Sequence, residues 1–171
     1  CTMRGKMVGK WWDENASAGF AEGSSGVGMV FLPQDKKQAA KGKELLEKSI
    51  VKGGLVVLGW RVVPVDKTVV GRMARDTEPV IEQVLVGGAT GEELERKLYV
   101  ARKTAEKAAA QLDAKMPGIA ENVYVCTMSG RTIVYKGMLR SVVVGSFHFD
   151  VLDTDSEAQF CIYHSLSRIH T

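Results

Sequence analysis

Apolar side chains recur at intervals of four and three from Leu94 through Leu98, Ala101, Ala105 and Ala108 to Leu112, the spacing that lays a single stripe along a helix. Thr90 followed by Glu93 predicts a capping box at its start. Glu92, Glu93 and Glu95 near the first turn and Lys115 at the far end have the order that the helix dipole favours. Pro117-Gly118 stops the pattern, and the alanines of its second half allow close approach to a neighbouring layer, so this helix is expected to pack on a sheet. Upstream, residues 26–32 form an unbroken small and apolar run closed by Pro33, which predicts a strand. Asp35 with Gln38 predicts a second capping box, opening a helix to about Val51 that Gly53-Gly54 terminates.

The run from Leu55 to Val65 is β-branched and apolar, interrupted by Gly59 and closed by Pro64, as suits a buried strand leaving its sheet. Trp60 and Arg61 break it, and are read as a packed core indole and a guanidinium that reaches solvent. A short helix is expected over residues 69–75, and a strand over 78–86 with Pro79 near its start. Residues 123–128 and 132–135 read as two strands joined through Ser129-Gly130-Arg131 as a hairpin, and residues 147–151 and 159–163 as further short strands. A short helix over residues 10–16, carrying Trp11 and Trp12, precedes a small-residue linker through Gly23, Ser24 and Ser25. Two helices bracketed by strands, with hairpin-type connections late in the chain, fit an α+β fold better than a doubly wound parallel sheet.

Composition narrows the class. The 171 residues fit one domain that can bury a core without staples; 45% are hydrophobic and 25% charged, as in soluble globular proteins. A net charge of +3 with interspersed signs gives no nucleic-acid footprint. No apolar stretch approaches the roughly 20 residues that span a bilayer, and the first ten residues are too broken for a secretory signal. Cys1, Cys126 and Cys161 make an odd count without C-x-x-C or metal-ligand spacing, which points to a reducing compartment. The chain begins with Cys in place of Met, suggesting processing or an incomplete record.

Three unusual blocks then follow one another: Val57-Leu58-Gly59-Trp60-Arg61-Val62-Val63-Pro64-Val65-Asp66, Thr77-Glu78-Pro79-Val80-Ile81-Glu82-Gln83-Val84, and Ser129-Gly130-Arg131-Thr132-Ile133-Val134-Tyr135-Lys136-Gly137-Met138-Leu139. In this order and spacing they resemble the glutaminase, or type II glutamine amidotransferase, domain of glutamate synthase. The resemblance runs over about residues 10–164 and implies part of an N-terminal-nucleophile hydrolase sandwich, helices on two β-sheets on helices, with residues 1–171 an internal fragment of one such domain.

In that family an N-terminal Cys thiolate attacks the side-chain amide of glutamine, and its own α-amine, titrating near about 8, serves as base. Here Thr2-Met3-Arg4 follow Cys1 where the family has Gly-Val-Gly-Phe, so Cys1 is read as a boundary accident. Gly26-Val27-Gly28 matches an internal strand. Ile162-Tyr163-His164 matches the family, but Ser165 and Leu166 stand at its arginine positions, and Arg168 is out of register. The Asn-Gly oxyanion pair would fall after Thr171. No catalytic, cofactor-binding or metal residue is therefore assigned, and the chain alone is expected not to hydrolyse glutamine. His164 is open to a positional or a catalytic role, and His148, between Phe147 and Phe149, is read as structural. Asp150, Asp153 and Asp155 are spaced like a turn, without the Gly and Glu of a calcium loop, and Gly53-Gly54 and Gly87-Gly88 lack the surroundings of a phosphate cradle.

For the whole enzyme the resemblance implies glutamine and 2-oxoglutarate as substrates and a synthase domain with FMN and an iron–sulfur cluster. Residues 95–103, 137–141 and 162–164 look closer to the ferredoxin-dependent form than to the pyridine-nucleotide form, which implies a chloroplast stroma or cyanobacterial-type cytoplasm. The alternative is a catalytically empty α+β module that serves interaction or structure, or an incomplete gene product with no independent role.

Overall fold

The computed structural model describes residues 24–137, 139–153 and 161–162. Four strands, β1 (Ser25–Leu32), β2 (Val56–Val62), β3 (Val80–Gly87) and β4 (Tyr124–Ser129), form one sheet in the order β2-β3-β1-β4, antiparallel at every pairing. Two long helices, α1 (Lys36–Lys52) and α3 (Gly91–Leu112), cover one face; α2 (Arg72–Asp76), α4 (Ile119–Asn122) and α5 (Val144–Phe147) are short. The fold is α+β, as expected. Among the described residues no helix is long and apolar enough to cross a membrane.

Strand β1 alternates strictly. Val30 and Leu32 join Leu46, Ile50, Leu94, Leu98 and Ala101 in the core beneath the helices, while Met29 and Phe31 join Ile81, Val63 and Phe147 on the other face. Gly26 and Gly28 fall on the helix side by the same parity. A Cβ at Gly26 would lie 2.4 Å from Leu98 Cδ1, and one at Gly28 would lie 2.7 Å from Val84 Cγ1. Gly-Val-Gly is thus a close-approach device for α3 and the neighbouring strand, in keeping with its reading as an internal strand.

Helix α1 begins as expected, with Asp35 accepting a hydrogen bond from the Gln38 amide at 2.7 Å, and Gly53 closes it. Helix α3 spans the predicted stripe, burying Leu94, Leu98, Ala101, Ala105 and Ala109; Ala109 takes the buried place expected of Ala108. Its capping box does not form. Thr90 occupies the N-cap without a side-chain bond, Gly91 enters the helix at φ +55°, and Glu93 pairs instead with Lys97 at 2.8 Å. Glu95 does the terminal work elsewhere, accepting from Ser129 Oγ at 2.9 Å and from the Gly130 amide at 2.7 Å.

That contact explains why the expected hairpin is absent. Ser129 Oγ, held by Glu95, accepts the Arg131 and Thr132 amides at 3.0 and 3.2 Å, turning the chain away from β4. Residues 132–137 form no strand; they cross the second face of the sheet, where Ile133 and Tyr135 pack. Residues 147–151 are not a strand either. They are the end of α5 and a 3₁₀ turn (Phe149–Leu152), tied to the chain after β2 by the Val65–His148 bridge and by hydrogen bonds from the Asp66 amide to Phe147 O and from the Phe149 amide to Pro64 O. The helix expected over residues 69–75 splits into a 3₁₀ turn (Lys67–Val69) and α2. The helix expected at residues 10–16 lies outside the described residues. So does the strand at 159–163, except for Cys161 and Ile162, which are in no strand.

Candidate functional site

Strand β2 is an edge strand, mostly half-buried, and not the buried strand expected. A bulge changes what it presents: Val57 pairs with Val86 but Gly59 with Leu85, leaving Leu58 as the extra residue. In a regular strand Val57 and Arg61 would share a face. The bulge instead puts Val57 and Trp60 toward the helices and turns Arg61 and Val63 to the second face. Trp60 therefore packs against the core as expected, whereas Arg61 does not reach solvent. Trp60 is half-buried, with its Nε1 donating to Glu47 at 2.6 Å and Lys43 Nζ 4.5 Å from its ring, whereas Arg61 is 5% exposed.

Arg61 is buried because it has partners. Its Nη1 and Nη2 donate to the two carboxylate oxygens of Asp150 at 2.7 and 2.5 Å, the bidentate geometry that a guanidinium and a carboxylate share. Asp150 is 6% exposed and lies in the Phe149–Leu152 3₁₀ turn, in keeping with its turn-like spacing, and there its carboxylate pairs with Arg61; Asp155 lies outside the described residues. Gln83 stands opposite Arg61 in the β2–β3 register and accepts its Nη1 at 2.7 Å. Tyr135 donates its hydroxyl to Asp150 at 3.1 Å and receives Gln83 Nε2 at 3.5 Å. Burial, then the neighbouring Asp150 charge, pushes the Tyr135 phenol well above its ordinary range, so it stays protonated as a donor.

His148 completes the cluster and is structural, as expected. It is fully buried, edge-on to Tyr135 at 5.2 Å and to Phe147 at 4.8 Å, and neither ring nitrogen has a hydrogen-bond partner among the described residues. Burial lowers its pKa below 6.5, against the opposing influence of the Lys136 backbone and Asp150. The unfolded chain therefore binds more protons between the lowered value and about 6.5. Stability from the neutral ring is complete above about 6.5 and is lost as the pH falls from there through the folded value. Among the described residues the groups that act on the ring are Asp150 and the Lys136 backbone, with the Tyr135 phenol against its edge. Urea midpoints measured from about pH 7.5 to about pH 5 should fall more steeply in the unmodified chain than in His148→Phe; parallel slopes would mean that His148 does not titrate in this window.

The cluster contains no nucleophile. Cys126 lies on the same face, but it is buried, its Sγ is 3.8 Å from Val134 O, and burial pushes its thiol pKa up, the opposite of what an attacking thiolate requires. Cys161 is exposed, and Cys1, His164, Ser165, Leu166 and Arg168 lie outside the described residues. No group of three or more His, Cys, Asp or Glu residues that could hold a metal occurs among the described residues. What the site can do is mechanical. A bidentate ion pair, an amide and a phenol fasten residues 139–153 to the sheet.

Sequence reading missed this pairing, although a signal was present. Arg61 and Asp150 are lone opposite charges in otherwise apolar runs, and buried charges of that kind require partners. The three blocks 57–66, 77–84 and 129–139 also each send one residue to this point: Arg61, Gln83 and Tyr135.

Comparison with known proteins adds the family context. Residues 3–171 match the family model for glutamine amidotransferases class-II. A ferredoxin-dependent glutamate synthase, chloroplastic, of Oryza sativa subsp. japonica is 41% identical over 161 residues, covering 92% of this chain and 10% of that protein. Ferredoxin-dependent glutamate synthase 1, chloroplastic/mitochondrial, of Arabidopsis thaliana is 43% identical over 157 residues, 90% of this chain and 9% of that protein. The glutamate synthase [NADPH] large chain of Azospirillum brasilense is 36% identical over 142 residues, 81% of this chain and 9% of that protein. The chain thus spans about a tenth of the length of the curated relatives it matches.

Proposed function

This chain belongs to the class II glutamine amidotransferases, and we propose that it is scaffold from the glutaminase domain of a glutamate synthase. The observation that carries this is the likeness to glutamate synthases along nearly the whole chain, with the three blocks of the sequence meeting at one buried point. In such a domain glutamine loses its side-chain amide as ammonia, which the whole enzyme adds to 2-oxoglutarate to make glutamate. The FMN, the iron–sulfur cluster and the synthase domain belong to other parts of that polypeptide.

Ferredoxin is the favoured electron donor, a reading supported by the 41 and 43% identity to the two ferredoxin-dependent plant relatives against 36% to the Azospirillum brasilense NADPH large chain. A chloroplast stroma or cyanobacterial-type cytoplasm is the location we infer, a reading supported by the chloroplastic names of the two plant relatives. The sealed cluster and the buried Cys126 support the reading of these residues as framework, with the bond-breaking groups supplied by other portions of the domain.

The test is ammonia release from glutamine by this chain, by Cys1→Ala and by the full-length protein. We expect activity from the full-length protein and none from the chain. Robust release by the chain that Cys1→Ala abolishes would make Cys1 the nucleophile and overturn the scaffold reading. A full-length protein that releases no ammonia would overturn the function itself.

A further inference from the structure

The strap formed by residues 139–153 lies on the second face of the sheet with little regular structure of its own. It consists of a 3₁₀ turn (Ser141–Val143), the single turn of α5 and a second 3₁₀ turn. Its outward residues Val142, Phe149, Val151 and Leu152 are 80, 42, 46 and 61% exposed, so apolar burial secures only one side of it. The backbone contributes the bridge at Val65 and the two hydrogen bonds to residues 64–66. The directional side-chain contacts that reinforce this register converge on Asp150. Arg61, Gln83 and Tyr135 reach that point from β2, from β3 and from the crossing segment.

An arrangement of this kind is poorly explained as glue. Replacing a buried ion pair by apolar side chains of similar volume is often neutral or stabilising, because desolvation consumes most of the Coulomb gain. What apolar filling lacks is direction. A bidentate pair fixes angle and height together, and Gln83 and Tyr135 leave the carboxylate one comfortable place. The polar design therefore specifies where the strap sits more than how tightly it is held.

We propose that Arg61 and Asp150, braced by Gln83 and Tyr135, are positioning residues for glutamine hydrolysis: they set the register of residues 139–153 on the sheet, and so the place from which the chain continues past Asp153 into the rest of the domain. This rests on the glutaminase reading. The network touches no substrate. It acts through the strap.

The experiment uses the full-length protein with glutamine as substrate and compares it with the double variant Arg61→Met/Asp150→Leu and with Tyr135→Phe. The double variant fills the space with apolar side chains, Leu being larger than the Asp it replaces, and removes the direction. We expect it to melt close to the unmodified protein while KM for glutamine rises and kcat/KM falls about 100-fold, the scale of an ångström-sized misplacement. Tyr135→Phe removes the hydrogen bond to Asp150 and the longer one from Gln83 Nε2, folds on its unchanged ring, and should lower kcat/KM roughly fivefold, again mainly through KM. The division between constants is diagnostic, since a reduced folded fraction lowers apparent kcat and leaves KM alone. Should the double variant fail to fold, Tyr135→Phe decides alone. Unchanged KM in the variants that fold overturns the positioning role and leaves the glutaminase reading intact. Absence of hydrolysis by the unmodified protein overturns the glutaminase reading instead.

Discussion

Arg61→Leu is expected to destabilise the chain by about 3–5 kcal/mol, the usual cost of removing one partner from a buried ion pair. The loss does not measure the strength of the pair. It measures what happens to Asp150, whose carboxylate lies 6% exposed and would keep only the Tyr135 hydroxyl at 3.1 Å. Gln83 Oε1 would lose its donor as well, in a position with no exposure to water. Urea denaturation near about pH 7 should therefore show a lower midpoint for Arg61→Leu than for the unmodified chain. The same measurement on Arg61→Met/Asp150→Leu should recover most of the loss, because no charge is then stranded. A single variant as stable as the unmodified chain would mean that water reaches Asp150 and that the pair is not sealed.

Periodicity made part of this fold legible, and its limits are physical. The stripe of α3 follows from one repeat that runs unbroken, so the pattern names its buried face, whereas β1 is buried on both faces and is legible as an unbroken apolar run. In β2 the single extra residue Leu58 inverts the alternation, and nothing in a run of apolar residues marks which of them is extra. Gly59, beside the bulge, was the available sign. The burial of Arg61 follows directly from that inversion.

Residues 132–135 and 147–151 illustrate a different limit. Both have apolar character that suits a strand, but a strand also needs a neighbour with free backbone groups. Glu95 captures the turn after β4, and Asp150 anchors its segment to Arg61, so each segment is held by a side chain from far along the sequence. Such long-range captures leave no local pattern. The three blocks were recognisable as a family signature before their role was visible, and the structure shows that Arg61, Gln83 and Tyr135 belong to one network: Arg61 and Tyr135 bind the Asp150 carboxylate, and Gln83 binds both of them.

The contact between α3 and the sheet gives the second large effect, for Leu98→Ala. Leu98 has no exposure, and its side chain lies over Gly26, where a Cβ would stand 2.4 Å from Cδ1 and 3.4 Å from Cδ2. Truncating a buried leucine costs about 2–5 kcal/mol, more when the surroundings cannot collapse into the space. Here the floor of the cavity would be bare β1 backbone, and β1 is clamped between β3 and β4, so the upper half of that range is expected. The geometry also predicts compensation. Gly26→Ala alone should destabilise by forcing Leu98 aside, with the Gly130 amide 3.4 Å from the new methyl limiting how far it can move. In Leu98→Ala the same methyl enters vacated space. Gly26→Ala should then be less harmful than in the unmodified chain, a coupling of about 1 kcal/mol or more between residues in direct contact. Urea midpoints of the four proteins in this cycle provide the check; strict additivity would show that α3 does not rest on the glycine as described.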